Sequence, residues 1–340
     1  MRISTGRFSL GVLAVALALV APGCRDDAPT ASPPPVERIA RELARGGGQS
    51  VIVYVSDDGR EYAATAGRRR PGRDQRFRIG SVTKTFTAAI VLQLVAEGRL
   101  RLTDTLERHL PGVLPSGTTI TIRQLLNHRS GLANVTDYRS WLEQASRSAS
   151  TRPIDTLRFA ATQPMAFWPG SEWGYSNTNY IALGLVIEKV TGDTYRRQLN
   201  QRLLEPLGLA STELPRRRQV RGLNDPGENP NVPWAAGALV SNTDDLARFF
   251  SALLSGRVLS EESLSSMKHT VVIDPATLAG GLGIFATELP CGRFWGHDGG
   301  ILDYATSVRA SEDGERVAVI SLRGTTFSGP PPDEAALLCP

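Results

Sequence analysis

A serine and a lysine lie three residues apart in the segment RFRIGSVTKTFTAAIVLQLVAEGRL, as Ser81 and Lys84. Residues three apart on a helix share a face, so the lysine amino group can reach the serine hydroxyl. A serine Oγ needs such a neighbour to take its proton before it can attack a carbonyl. If Ser81 stands at the start of a helix, its own backbone N–H and the helix dipole also favour an oxyanion.

The same spacing has an ordinary interpretation, in which Ser81 caps a helix and Lys84 is a solvated residue of its first turn. Ser265 and Lys268 repeat the spacing on a polar helix that we expect to be fully exposed and without a chemical role. Lys84 differs because its helix is apolar on nearly every side, and a buried charge is costly unless it is paired. The spacing alone favours the ordinary interpretation, so other segments have to complete a site.

A second candidate segment is Tyr175-Ser176-Asn177, which we expect in a loop just before a helix that starts near Asn179. A phenol beside a lysine can have its pKa lowered enough to move a proton, and the Asn177 amide can hold a substrate amide. The alternatives are a packing role for Tyr175 and a helix-capping role for Asn177 or Thr178.

The third candidate segment is His297-Asp298-Gly299-Gly300, which follows the predicted strand GRFWG. It could be a plain glycine turn. In the functional interpretation it lies at a sheet edge, where its glycines let a substrate backbone come close and one main-chain N–H completes an oxyanion hole. His297 would add polarity and a hydrogen bond.

Hydrophobic periodicity predicts the elements that must bring these segments together. A helix over VERIARELARGG and a hairpin around Asp58-Gly59 come first, and a mostly helical block follows, with TIRQLLNHRSGL as a helix stopped by its glycine. After Gly280 the pattern alternates, which predicts three or four strands and a short closing helix. The sequence therefore predicts an α+β fold, with one antiparallel sheet built from both chain ends and a helical lobe inserted between them.

We expect one domain over residues 36–340, with a sheet lobe over about 36–79 and 250–340 and a helical lobe over about 80–249. Residues 1–23 read as a signal peptide, because a short basic segment precedes the apolar run Leu10 to Ala21. Cys24 could then be the lipid-modified first residue of a lipoprotein, and the alternative is ordinary cleavage without a lipid. Residues 24–35 are proline-rich and predict a disordered tether.

These features predict an extracytoplasmic protein, secreted or held to the cell membrane by a lipid. In that oxidising compartment Cys291 and Cys339 are expected to pair, and two separate buried thiols are the alternative. The four histidines are scattered and no Cys/His cluster has metal-ligand spacing. The net charge of +4 over 340 residues is mild and no run of like charges suggests a nucleic-acid face, so we expect no nucleic-acid partner.

The three candidate segments, in this order, resemble the penicillin-recognising serine hydrolases, and most closely the serine D-alanyl-D-alanine carboxypeptidases of the class C β-lactamase-like group. The resemblance runs from about Gly48 to the C-terminus and is carried by FRIGSVTKTFTAAIVLQLVAEGRLRLTDTLERHLPG, ITIRQLLNHRSGL, WPGSEWGYSNTNYIALGLVIEKVTG, LLEPLGL, AAGALVSNTDDLARFFSALLSG and WGHDGG. It implies a β-lactamase/transpeptidase-like fold, no metal or cofactor, and a disulfide between the last two cysteines.

The resemblance also implies a role for each candidate residue. Ser81 would be acylated, while Lys84 and Tyr175 share the base role and Asn177 contacts the substrate amide. His297 and Gly299 would occupy the family's Lys/His-Thr/Ser-Gly segment. The N–H groups of Ser81 and Gly300 would form the oxyanion hole.

Two departures from the family pattern concern the substrate. Asp298 stands where the family usually has a hydroxyl residue or glycine, and we expect this acid to modulate specificity by repelling a substrate carboxylate. The stretch Ile284 to Thr287 also lacks the arginine that receives that carboxylate in well-matched carboxypeptidases.

The sequence therefore predicts an exported, monomeric serine hydrolase, with D-alanyl-D-alanine carboxypeptidase activity on peptidoglycan stem peptides as the first expectation. A β-lactamase that takes β-lactams or a carboxylesterase of the same fold is the next alternative. A module that binds penicillin or peptidoglycan without turnover is an alternative of another class.

Overall fold

The computed structural model describes residues 33–114, 117–148, 150–216, 229–274, 278–324 and 333–339. The predicted signal peptide, the lipidation site Cys24 and most of the predicted tether lie outside these residues. Within them, no helix is both long and apolar enough to cross a membrane.

The described helices begin with the N-terminal helix and end with the predicted closing helix. They are α1 (Val36–Arg45), α2 (Thr83–Ala96), α3 (Leu106–His109), α4 (Ile122–Leu126), α5 (Arg139–Arg147), α6 (Pro153–Ala161), α7 (Asn177–Thr191), α8 (Tyr195–Leu199), α9 (Glu205–Leu207), α10 (Trp234–Gly237), α11 (Thr243–Leu254), α12 (Glu261–Lys268) and α13 (Glu334–Leu338). Short 3-10 turns cover Gly80–Val82 and Val135–Asp137, and a π-helical segment covers Asn200–Leu204.

The described strands come from both ends of the chain, as the sequence predicts. They are β1 (Ser50–Asp57), β2 (Arg60–Ala66), β3 (Phe77–Arg78), β4 (Val240–Ser241), β5 (Val271–Asp274), β6 (Leu278–Gly280), β7 (Phe285–Leu289), β8 (Gly292–Ile301), β9 (Tyr304–Ser311) and β10 (Arg316–Arg323).

One antiparallel sheet has the order β2-β1-β10-β9-β8-β7-β6-β5, and β3 pairs with β4 in a second, two-stranded sheet. The contact between β1 and β10 joins the two chain ends and confirms the predicted α+β fold. The strands predicted after Gly280 are present as β7, β8, β9 and β10, whereas β5 and β6, which precede them and also join the sheet, were not predicted. These two strands are four and three residues long, too short to show an alternating pattern.

Both faces of the sheet are covered, which explains why β1 reads as a continuous apolar run. Val51 and Val53 pack in a cluster with α1 and α13, whereas Ile52 and Tyr54 pack in the main core with α2 and α11. Successive residues of a strand point to opposite faces, so each face needs its own apolar set. Helix α2 lies inside the main core with every residue from Thr83 to Leu92 buried, as its sequence predicts.

Helix α4 is shorter than predicted, because it ends at Leu126 rather than near the glycine of TIRQLLNHRSGL. A capping box formed by Thr121 and Gln124 starts it. His128 has a φ of +58°, a left-handed conformation that cannot continue an α-helix. The segment after Leu126 therefore leaves the helix axis and becomes available to contact other parts of the chain.

The second pair, Ser265 and Lys268, does not form a site. We expected its helix, α12, to be fully exposed, and the structure shows that it is partly buried. Met267 is buried, and the Lys268 ammonium donates to the Glu312 carboxylate at 2.8 Å and carbonyl at 2.9 Å. Lys268 is thus held by the turn that follows β9, through both hydrogen bonds to Glu312.

Cys291 and Cys339 form a disulfide, which confirms the predicted pairing. The bond links the turn before β8 to the residue that follows α13, and it closes a loop of 48 residues. The connection fastens α13 to the side of the sheet that it covers.

Replacing both bridging cysteines by serine should lower the free energy of unfolding by about 2–4 kcal/mol, because the unfolded chain regains the entropy of the open loop. Chemical unfolding with and without dithiothreitol measures the difference. The reductant should destabilise the native chain and leave the double variant Cys291→Ser/Cys339→Ser unaffected. Equal stability of the native chain in both conditions would contradict a stabilising role for the bridge.

Candidate active site

Ser81 lies in the 3-10 turn Gly80–Val82, directly before α2, and is partly exposed at the wall of a cleft of about 280 Å³. Gly80 has a φ of +50°, and a Cβ added there would lie 2.8 Å from the backbone nitrogen of Gly300. Only glycine fits this left-handed position against a neighbouring backbone. The turn therefore holds Ser81 where β8 meets the start of α2.

The Lys84 side chain is fully buried and its Nζ has three polar neighbours. It lies 3.0 Å from Ser81 Oγ, 2.7 Å from Asn177 Oδ1 and 2.7 Å from the carbonyl oxygen of Ala236. Burial holds the pKa of Lys84 well below its ordinary value.

The geometry around Lys84 suits a neutral amine. The Asn177 Oδ1 and the Ala236 carbonyl can only accept, so they take two N–H groups of Lys84. Ser81 Oγ can donate as well as accept. A neutral amine thus satisfies both acceptors and turns its lone pair to the Ser81 hydroxyl, which is the arrangement of a nucleophile with its base.

Tyr175 also contacts Ser81. Its hydroxyl hydrogen-bonds the Ser81 side chain, and Lys84 Nζ lies 4.9 Å from the centroid of its ring. Burial raises the pKa of Tyr175, and the hydrogen bond with Ser81 acts in the opposite direction with a smaller effect. The expected lowering of this pKa by Lys84 was wrong, because removal of the phenol from water dominates. Tyr175 is therefore a protonated phenol that can donate.

Asn177 is the first residue of α7, which begins two residues earlier than predicted. The Asn177 N–H donates to Asn134 Oδ1 at 3.0 Å, and its Nδ2 donates to Asn134 Oδ1 at 3.2 Å and Thr136 Oγ1 at 3.0 Å. These contacts turn Oδ1 toward Lys84. Sequence reasoning missed Asn134 and Thr136, because nothing in the loop sequence ANVTD marks them as partners of a residue more than 40 positions away.

His297 lies within β8 rather than after a strand, and it is 2% exposed. Its Nδ1–H donates to the carbonyl oxygen of Asp298 at 2.6 Å, so Nε2 of the neutral ring is an acceptor. Burial, with the nearby Lys84 as the next influence, lowers the pKa of His297 to about 3. A neutral acceptor cannot supply the positive charge that attracts a carboxylate.

The Asp298 carboxylate points to the other face of β8 and forms an ion pair with Arg309 at 2.9 Å. Arg309 also pairs with Glu334 of α13 at 3.2 Å. Burial disfavours the charged form of Asp298, but Arg309 outweighs it and holds the pKa below its ordinary value. The acid is charged, yet Arg309 offsets the repulsion of a substrate carboxylate that we expected. Sequence reasoning missed this pairing.

The glycines of β8 let the strand lie directly on the turn that carries Ser81. A Cβ added to Gly299 would lie 1.9 Å from the carbonyl oxygen of Ile79 and 3.1 Å from the Ser81 nitrogen. This contact brings the Gly300 backbone next to Gly80. The predicted oxyanion pair, Ser81 N–H and Gly300 N–H, therefore belongs to two segments in direct contact.

The cleft beside Ser81 is lined mainly by apolar side chains, and none of its described lining residues carries a charge. The apolar lining residues are Val135, Leu142, Ile181, Val232, Pro233, Ala236, Ile301 and Leu302. Among the residues that the structure describes, no group of His, Cys, Asp and Glu side chains could hold a metal ion. The arrangement suits covalent catalysis on a carbonyl whose substituent is apolar.

A comparison with protein-family models matches residues 36–338 to the model described as Beta-lactamase. Penicillin-binding protein 4* of Bacillus subtilis (strain 168) is 30% identical over 294 residues, which are 78% of this chain. The chain spans 63% of the length of that relative.

Solved structures with similar folds include a D-stereospecific amidohydrolase from Streptomyces sp., with 35% identity, a TM-score of 0.78, and coverage of 84% of this chain and 92% of the other. A D-amino acid amidase from Ochrobactrum anthropi SV3, complexed with L-phenylalanine, is 26% identical with a TM-score of 0.76 and covers 86% and 91%. These matches confirm the β-lactamase/transpeptidase-like fold.

Replacing Gly299 by alanine should separate β8 from the Ser81 turn, because the new methyl group collides with the Ile79 carbonyl. We expect a loss of about 100-fold or more in kcat/KM, as for loss of one oxyanion-hole donor, and a lower melting temperature. Gly300→Ala is the matched comparison for stability, because a Cβ there meets no described atom within 4 Å. Equal melting temperatures for both variants would contradict the tight contact.

Proposed function

This chain belongs to the Beta-lactamase family of serine hydrolases, and from that premise we propose that it hydrolyses amides of D-amino acids with apolar side chains through an acyl-serine intermediate. The observation that carries the proposal is the position of Ser81. Its Oγ lies between a buried amine and a protonated phenol, at the wall of a cleft whose described lining is uncharged. Every group needed to attack an amide and protonate its nitrogen meets at that oxygen.

The proposed reaction starts when Lys84 takes the Oγ proton of Ser81 and the oxygen attacks the amide carbonyl. The N–H groups of Ser81 and Gly300 stabilise the oxyanion. Tyr175 donates its proton to the leaving nitrogen, and the proton held by Lys84 then replaces it. Water attacks the acyl-serine with the same groups in reversed roles, so that no proton is gained or lost overall.

The substrate class rests on charge and on similarity. An apolar cleft favours an apolar side chain on the acyl side, and the second lone pair of Asn177 Oδ1 can accept a substrate N–H. The similar solved proteins are described as acting on D-amino acid or D-stereospecific amide substrates, which supports the D configuration.

Removal of a C-terminal D-alanine from a peptide is the second candidate, and the similarity to penicillin-binding protein 4* favours it. The site is less suited to such a peptide, because the C-terminal carboxylate of the peptide needs a cation to bind it. His297 is neutral, Arg309 is shared by Asp298 and Glu334, and Ile284 to Thr287 contain no arginine. We therefore place the amidase first.

We further propose that the protein acts outside the cytoplasm, with or without a lipid on Cys24, as a monomer. The Cys291–Cys339 disulfide supports this location, since such bonds persist in oxidising compartments.

A substrate panel tests the proposed function. D-phenylalanine amide should be hydrolysed at least about 10-fold faster than its L enantiomer, and faster than a D-Ala-D-Ala peptide, a chromogenic cephalosporin or p-nitrophenyl acetate. Ser81→Ala should abolish turnover, and Ser265→Ala, the serine of the second pair, should leave it unchanged. D-alanine release as the leading activity would select the carboxypeptidase. Ester or cephalosporin turnover alone would select the other hydrolases, and binding without turnover the non-catalytic module.

The protonation state of Lys84 predicts a pH dependence. A base acts in its deprotonated form, so kcat/KM should rise with pH through an apparent pKa well below 10.5 and fall as Lys84 becomes protonated in acid. Lys84→Arg keeps a cation that cannot release its proton, and should lower kcat/KM by about 1,000-fold or more at every pH. Lys189→Arg, on the exposed side of α7, is the matched control. Activity of Lys84→Arg within 10-fold of the native chain would exclude Lys84 as the base.

A further inference from the structure

His128 contacts the Tyr175 ring and the backbone of both residues that flank Tyr175, and none of the three candidate segments found in the sequence includes it. We propose that His128 is the positioning residue that holds the Tyr175 phenol on Ser81, an inference that rests on the proposed acyl-serine chemistry. It adds a residue to the reaction that acts through Tyr175 and does not touch the substrate.

The first two contacts hold the backbone on both sides of Tyr175. The N–H of Gly174 donates to the carbonyl oxygen of His128 at 2.9 Å, and the N–H of Ser176 donates to its Nδ1 at 3.2 Å. One residue thus binds both peptide groups that flank the tyrosine. Since Tyr175 lies outside any helix or strand, these bonds replace the ladder that would otherwise fix its backbone.

The third contact holds the side chain. The His128 and Tyr175 rings are stacked, with centroids 4.3 Å apart and planes inclined by 27°. The stack restricts rotation of the phenol about its Cα–Cβ bond. Backbone and ring are therefore held by the same residue, and the Tyr175 hydroxyl is left facing Ser81.

The hydrogen bonds of His128 require a neutral ring of one tautomer. Nδ1 accepts from Ser176 and also from Asn179 Nδ2 at 3.2 Å, and the Asn179 amide is oriented because Ser130 Oγ donates to its Oδ1 at 2.5 Å. The ring proton must then reside on Nε2. His128 is 3% exposed, and burial keeps its pKa well below the ordinary value. The ring therefore stays able to accept.

The backbone around His128, which we call the clamp on Tyr175, is itself constrained. His128 has a φ of +58°, which is uncommon for a histidine, and a Cβ at Gly131 would lie 2.0 Å from the Phe167 carbonyl oxygen. Such conformations persist where the surrounding contacts over-determine them, and they cluster at active sites. The left-handed turn that ends α4 is what directs both the His128 carbonyl and its ring to Tyr175.

A double-mutant cycle with Tyr175 separates positioning from general packing. His128→Ala should lower kcat for D-phenylalanine amide by about 100-fold with KM within about threefold, because proton transfer by Tyr175 is lost. Tyr175→Phe should cost a similar factor. The double variant should lie within about threefold of Tyr175→Phe, since two residues that act as one unit are not additive.

A conservative variant and a second substrate sharpen the test. His128→Asn keeps an acceptor near the Nδ1 position and tolerates the left-handed backbone, so it should recover about 10-fold of the loss in His128→Ala. The pre-steady-state burst of p-nitrophenolate from p-nitrophenyl acetate reports acylation alone. Its rate should fall by less than about fivefold in His128→Ala, His128→Asn, Tyr175→Phe and the double variant, because this leaving group departs without a proton. A structural defect would slow both substrates alike. His109→Asn, a substitution of another largely buried histidine, is the control and should leave both rates unchanged.

The two proposals fail in different ways. Amide hydrolysis that survives Ser81→Ala would overturn the proposed function. A full further 100-fold loss when His128→Ala is added to Tyr175→Phe would overturn the positioning role alone. The position of the phenol can also be followed without turnover, by NMR of the seven tyrosines carrying a ring ¹³C label. The Tyr175 resonance should shift in His128→Ala and not in His109→Asn, and an unchanged resonance would equally overturn the role.

Discussion

Burial of the Lys84 amine is the constraint on which the rest of the site depends. A charged ammonium without water is costly, and an amine that gives up its proton avoids most of that cost. The Asn177 side chain and the Ala236 carbonyl satisfy two of its N–H groups, which leaves Ser81 as the partner for the lone pair. Packing of an apolar helix thus produces a base at the start of that helix.

The groups around Lys84 keep positive charge away from it. His297 is neutral with its proton directed to a main-chain carbonyl, and His128 is neutral because Nδ1 has to accept. Arg309 of β9 is engaged by two carboxylates, those of Asp298 and Glu334. A charged neighbour would lower the pKa of Lys84 further but would also bind anions. The result is a site suited to amides with apolar substituents rather than to substrates recognised through a carboxylate.

The features that the sequence predicted involve residues close together in the chain, and the features that it missed involve contacts between distant segments. Ser81 with Lys84, the glycines of β8 and the β1–β2 hairpin depend on residue types at short spacings, and they were found. The partners of Asn177, the pairing of Asp298 with Arg309 and the clamp formed by His128 depend on segments that meet only in the folded chain. A lowered pKa was expected for Tyr175 from a nearby charge, whereas burial, which no local pattern reports, has the larger effect.

The central claim is that Lys84 is a neutral amine at physiological pH, and a direct titration tests it. The chain contains only three lysines, so a sample labelled with ¹³C at lysine Cε should give few resonances, and the one lost in Lys84→Arg identifies the residue. The account predicts that this resonance titrates with a pKa well below 10.5 and shows the neutral amine at neutral pH. A Lys84 resonance that stays in the ammonium form up to pH 10 would contradict the account.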